Sequence, residues 1–233
     1  MRIAHFLGSS LIDYPGRVSS VVWTVGCNLR CPYCYNAELV LPELAKQLPV
    51  VPEQEVLTEL ARRKGFVQGL VVTGGEPTLH NDLEEFLGRV RALGLSVKLD
   101  TNGTLPERLD ALLGSGLVDY VALDVKGPWD KYALFTGGKE VGQLVRRSLA
   151  LLRRSGLAYE VRTTVAPGLE GEDLRRLVED LKEVPAYYLQ PFHDAPSKRL
   201  VDESLRGKRA LAPRVLAELA EEFKRYLPCR VRG

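Results

Sequence analysis

Short apolar runs and longer amphipathic stretches alternate along this chain. Ser19–Val25, "SSVVWTV", is β-branched and apolar and lies between Gly16 and Gly26, which predicts a buried strand. Pro52–Lys64, "PEQEVLTELARRK", has apolar residues at helical spacing and a proline in its first turn, which predicts an amphipathic helix. The pattern then recurs. "GLVVTGG" from Gly69 predicts a strand, followed by a helix to Leu93 that Asn81 caps with Glu84 three residues on. Ser96–Gly103 predicts a strand and Pro106–Leu113 a helix. Asp119–Gly127 and Val141–Ser155 form the next such pair, and Ala158–Gly168 and Gly171–Leu181 the one after. Ala186–Phe192 is the sixth strand, and a last helix covers about Pro213–Tyr226.

Strands that alternate with helices form a parallel sheet with right-handed crossovers. Strands this apolar are covered by helices on one face and by a packed interior on the other. Eight such units close a full barrel. Six predict an α/β fold of the partial TIM-barrel kind, (βα)6, with the site at the C-terminal ends of the parallel strands; a flat doubly wound sheet is the alternative. No linker or low-complexity stretch divides the chain, so a single domain over 1–233 is expected. It comprises an N-terminal extension (1–17), a barrel core (18–193) and a C-terminal segment with the final helix (194–233).

Composition narrows the function classes. The chain has 233 residues, 45% hydrophobic and 27% charged, with a formal net charge of +2. That is ordinary for a globular protein and gives no basic field for nucleic acid. "MRIAHFLGSS" lacks the apolar core of a signal peptide, and no apolar run approaches the roughly 20 residues of a spanning helix. Four cysteines, three of them within eight residues, do not make a secreted disulfide scaffold. A cytoplasmic protein without membrane or nucleic-acid partners is expected.

In parallel α/β folds ligands bind at the carboxyl ends of the strands, and polar residues gather at each predicted end. The first is followed by "GCNLRCPYCYN", with Cys27, Cys31 and Cys34 spaced C-x3-C-x2-C. The second is followed by "TGGEPTLH", and the third ends in Asp100, Thr101 and Asn102. Asp124 and Lys126 end the fourth, Arg162 and Thr164 lie on the fifth, and Gln190 and His193 end the sixth. "CPYC" alone is a redox dithiol, but that leaves Cys27 unexplained. A structural zinc site needs four ligands, with Cys229 as the spare. Three thiolates on a four-iron cluster leave one iron open for chemistry. In "GGEP", Gly74 and Gly75 serve either a strand-end turn or the close approach of a ligand, and Glu76 suits an ammonium group. Asp100 and Asp124 on adjacent strand ends repel unless something positive lies between them: a bound cation, or Lys126, which strand alternation puts on the face of Asp124. Other residues read as structural: His5 and His80 on surface or turn, Trp23 in the core, Cys229 a buried bystander, and the paired arginines on solvated helix faces.

"CNLRCPYC" followed by "TGGEP" resembles the radical S-adenosylmethionine (SAM) superfamily. "SLIDYPGRVSSVVWTVGCNLRCPYCYN", "LDTNG" and "LDVKGP" resemble, more narrowly, the activating enzymes of glycyl radical enzymes, above all those of anaerobic ribonucleoside-triphosphate reductase and pyruvate formate-lyase. The resemblance runs through His193. It implies that Cys27, Cys31 and Cys34 hold a [4Fe–4S] cluster whose fourth iron chelates SAM. Gly74, Gly75 and Glu76 would bind the SAM amino group, Tyr33 would lie beside the adenine and Asn36 close to SAM. Lys126 would approach the SAM carboxylate, and Arg162 and His193 would line the site. Asp100, Thr101 and Asp124, with the carbonyl of Ala122, match a monovalent-cation site. Where the family often has His after the third cysteine, this chain has Tyr35. The implied reaction is reductive cleavage of SAM and formation of a glycyl radical on a partner enzyme, with flavodoxin or ferredoxin as electron donor. A radical SAM enzyme acting on a small molecule, as a deazapurine synthase does, is the alternative among enzymes. A zinc-stabilised binding module is the alternative outside them.

Overall fold

The structure, a computed structural model, describes residues 1–232. Its contacts divide the chain into two compact units. One comprises residues 1–28, 38–101 and 105–122; the other comprises 29–37, 102–104 and the chain from Leu123 on.

In the first unit, β1 (Ile3–Ser10) runs antiparallel to β2 (Ser19–Thr24), with Phe6 opposite Val22. β2 pairs in parallel with β3 (Gly69–Gly74), Val22 against Val72, and β3 with β4 (Ser96–Thr101), Val72 against Leu99. These valines and leucines are fully buried. The helices are α1 (Ala37–Val40), α2 (Pro42–Ala45), α3 (Glu53–Arg62), α4 (Leu83–Ala92) and α5 (Pro106–Gly114). α4 shows why the sequence makes them: Leu83, Phe86, Leu87 and Val90 recur at i, i+3, i+4 and i+7 and are all buried. Each side chain contributes about 1.5–3 kcal/mol by leaving water.

β5 (Tyr120–Asp124) runs from the first unit into the second. There follow α6 (Tyr132–Phe135), α7 (Gly142–Ser155), β6 (Ala158–Val165), α8 (Gly171–Asp180), β7 (Tyr187–Pro191), α9 (Pro213–Phe223) and β8 (Cys229–Val231). β6 pairs in parallel with β7, Val161 opposite Tyr187, and β7 with β8, Tyr187 opposite Cys229. Within the sheet the strands keep chain order, β1 to β8. The class is the expected one: α/β, a mostly parallel sheet, and six successive strands, β2 to β7, each followed by helix, as in a partial (βα)6 barrel.

Three details depart from the sequence reading. Segment 1–17 carries β1, and the C-terminal segment carries β8. α4 starts two residues after Asn81, and Asp82 stands at its cap position without capping it, because that carboxylate binds the Met1 amine. Trp23 is half-buried rather than core, packed against Tyr14, Val21 and Val71 beside Tyr120. His80 lies in the turn before α4, as expected, but half-buried, and its Nε2 has no hydrogen-bond partner among the described residues. Among the described residues no helix is long and apolar enough to cross a membrane.

Candidate functional site

In the first unit, the ends of β2 and β3 are joined through backbone. Gly26 N donates to Leu39 O at 2.8 Å, Gly75 N to Thr24 O at 2.9 Å, and Glu76 N to Gly26 O at 2.7 Å. This contact requires the glycines. Gly74 has φ +115°, and a Cβ there would come 2.5 Å from the Thr24 amide; a Cβ on Gly75 would come 2.0 Å from Gly26 O. The pair therefore brings the "GGEP" turn against the residue before Cys27, and the space a side chain would fill at each glycine is taken by the backbone of residues 23–26, as the strand-end reading has it.

That turn aims Glu76 inward. Its side chain is fully buried. Oε1 accepts from Thr78 N at 3.1 Å, Thr78 Oγ1 at 2.6 Å and Thr101 Oγ1 at 2.8 Å. Hydrogen bonds to a buried carboxylate fix its direction as well as its charge. At the end of β4, Asp100 Oδ1 lies 3.0 Å from Lys98 Nζ. Lys98 also donates to Asp13 O at 2.7 Å.

In the second unit, Asp124 stands between two cations. Arg162 Nε donates to its Oδ1 at 2.9 Å, and Lys126 Nζ lies 3.5 Å from Oδ2. Lys126 and Arg162 are nearly buried, at 13% and 12% exposure. Burial alone opposes the charge on Lys126, but Tyr33, Cys31 and Asp124 around it outweigh burial and hold its ammonium well above the ordinary lysine range. Burial pushes the Cys31 thiol up, against the pull of Lys126. The Tyr33 hydroxyl is raised likewise by burial, and it lies beside the Cys31 thiol and the Lys126 ammonium. Tyr132, itself fully buried, joins this group, its hydroxyl accepting from Lys126 N at 3.3 Å.

Tyr35 is exposed and meets the His193 ring edge-on, centroids 6.3 Å apart. Asn36 is half-buried and His193 exposed. Residues after β7 cover this loop: Val201 N donates to Cys34 O at 3.0 Å and Asp202 N to Pro32 O at 3.0 Å. From the other side Arg30 N donates to Thr136 O at 3.3 Å. None of the four cysteines forms a disulfide. Cys229 is buried on β8, and burial pushes its thiol up to about 12.

The structure thus brings Glu76 to Thr101, and Cys31, Tyr33, Asp124, Lys126 and Arg162 to one another. Cys27, Gly74, Gly75, Glu76, Asp100 and Thr101 belong to the first unit; Cys31, Cys34 and the other candidates belong to the second. Sequence reasoning missed Thr78, Lys98, Tyr132 and the covering segment at Val201. Lys98 had a legible signal: a lysine inside an apolar strand, two positions before Asp100 and so on its face. The others meet the site through contacts with no local pattern. In kind these donors suit a cluster and SAM, with thiols outside any disulfide, a fixed buried carboxylate and a nearly buried ammonium, but among the described residues no group of three or more His, Cys, Asp or Glu is gathered to hold a metal ion.

The radical SAM superfamily pattern matches residues 21–183. A provisionally named glycyl-radical enzyme activating enzyme of Methanocaldococcus jannaschii is 33% identical over 231 residues, covering 97% of this chain and 92% of that protein. The pyruvate formate-lyase-activating enzyme of Clostridium pasteurianum is 27% identical over 241 residues, covering 97% and 98%. Among solved structures, Streptococcus suis SuiB bound to S-adenosylmethionine matches 91% of this chain with a TM-score of 0.70 at 15% identity. The chain spans about half of SuiB, 52% of its length, and at that identity the likeness is one of fold.

Proposed function

The chain belongs to the radical SAM superfamily and is an enzyme, and on that premise we propose that it activates a glycyl radical enzyme, with anaerobic ribonucleotide reductase as the partner. The observation that carries this reading is the end-to-end likeness to activating enzymes, 97% of this chain against 92% and 98% of theirs.

In this reading Cys27, Cys31 and Cys34 would hold a [4Fe–4S] cluster, which, reduced by a flavodoxin or ferredoxin, would supply the electron for reductive cleavage of SAM and so for removal of hydrogen from the partner's glycine. The chain's own residues position and shield. Glu76, held by Thr78 and Thr101, presents a carboxylate to the SAM amino group. Lys126 and Arg162 balance Asp124 and offer charge to the SAM carboxylate. Tyr33 would lie beside the adenine, and Asn36 and His193 would complete the lining. The segment at Val201 covers the cysteine loop and limits access of water and oxygen to it. The reaction belongs in the cytoplasm, where thiols stay reduced.

The test is anaerobic incubation of reduced, reconstituted protein with SAM and a candidate partner. A doublet EPR signal on the partner, and its cleavage at one glycine on exposure to air, are expected. SAM turnover that leaves every candidate partner EPR-silent would transfer the reading to a small-molecule substrate.

A further inference from the structure

Lys98 is the only lysine in the fully buried class among the described residues, at 1% exposure. A buried ammonium persists only where it is compensated. Its compensation here is a shell of oxygens and a ring face: Asp100 Oδ1 at 3.0 Å, Asp13 O at 2.7 Å and the Tyr120 ring, 6.0 Å from Nζ to centroid. Ser10 Oγ donates to Asp13 Oδ2 at 2.5 Å and fixes the turn that supplies the carbonyl. Carboxylate and backbone carbonyl oxygens are also the ligands a monovalent cation takes.

The residues matched to a monovalent-cation site therefore do not fit one. Asp100 holds Lys98. Thr101 donates its hydroxyl proton to Glu76. Asp124 is balanced in its own unit by Arg162 and Lys126. Each carboxylate already has a cation attached to the chain, and a K⁺ added beside Asp100 would lie against the Lys98 ammonium and be repelled.

We propose that the Lys98 ammonium takes the place of a bound monovalent cation at the end of β4, so that this protein works without K⁺ or Na⁺. Lys98 is then a positioning residue: it neutralises Asp100 and sets the end of the strand that carries Thr101 to Glu76. The inference rests on reading the ends of β3 and β4 as the SAM site, but its test needs neither cluster nor SAM.

The test compares thermal unfolding of the cluster-free chain in KCl, NaCl, NH₄Cl and choline chloride at equal ionic strength. Wild type should show the same Tm in all four. A saturable rise of the wild-type Tm with K⁺ or Na⁺ over choline overturns the proposal. Lys98→Met removes the ammonium beside Asp100 and should acquire a saturable rise with K⁺ and NH₄⁺, while Lys98→Arg should stay indifferent like wild type. A folded Lys98→Met variant no more responsive than wild type also overturns it. If Lys98→Met fails to fold, the wild-type comparison decides. With reconstituted enzyme, SAM cleavage should proceed at one rate in K⁺, Na⁺ and choline. Absence of SAM cleavage in every salt counts against the proposed function and leaves the unfolding comparison intact.

Discussion

Replacing Glu76 separates two jobs of one side chain. Glu76→Gln keeps an oxygen where Oε1 accepts from Thr78 N, Thr78 Oγ1 and Thr101 Oγ1, but removes the charge. Glu76→Ala removes the acceptor too and leaves Thr78 N–H and two hydroxyls at a fully buried position. An unsatisfied buried donor costs about 1–3 kcal/mol. The hydroxyls can rotate to other acceptors; the amide cannot. Glu76→Ala should therefore be about 1–3 kcal/mol less stable than Glu76→Gln in urea unfolding of the cluster-free protein. SAM binding should respond differently. A hydrogen bond to a charged group is worth roughly 1.5–3 kcal/mol, so both variants should bind SAM roughly ten- to a hundredfold more weakly by calorimetry on reconstituted protein. Wild-type SAM affinity in Glu76→Gln would refute the assignment of Glu76 to the amino group. Equal stability of the two variants would refute the account of what holds the carboxylate in place.

Cys27→Ala, Cys31→Ala and Cys34→Ala should each lose the cluster on anaerobic reconstitution, whereas Cys229→Ala should keep it; iron and sulfide analysis decides, and loss in the last variant would mean a misassigned ligand. Burial raises the Cys229 thiol to about 12, so the folded chain keeps a proton there that the unfolded chain releases near pH 8.5. Its contribution to stability is present at neutral pH and declines as pH rises from about 8.5 toward 12; alkylation of Cys229 at pH 9 in folded protein at the rate of a free thiol would contradict this. Asp124→Ala leaves the nearly buried Arg162 and Lys126 without their shared anion. Breaking a buried pair costs about 3–5 kcal/mol, reduced to about 2–4 because Asp124 is a third exposed. A loss below about 1 kcal/mol in urea unfolding would show that solvent already screens this group.

What the sequence determined by itself is whatever depends on neighbours along the chain. "SSVVWTV" and "GLVVTGG" are too apolar and β-branched to be anything but buried strands between helices, and they became β2 and β3. The spacing of Cys27, Cys31 and Cys34 is local and carries its chemistry wherever the loop lies. The pairing of Asp124 with Lys126 was one of two readings the sequence offered, and the two do meet at 3.5 Å, although β5 ends at Asp124 and Lys126 lies just beyond it. Tertiary structure decided the rest, because the partners are remote and no local pattern encodes them. β8 is three residues long and exists only because β7 offers it a partner. Asp82 binds the Met1 amine across 81 positions instead of capping α4. Arg162 reaches Asp124 across 38, Val201 is folded back onto Cys34, and Lys98 reaches the Asp13 carbonyl across 85. A lysine in a strand is legible; that its charge is compensated by a turn near the start of the chain and a carboxylate at the strand's end follows only once the fold has brought both into a place without water.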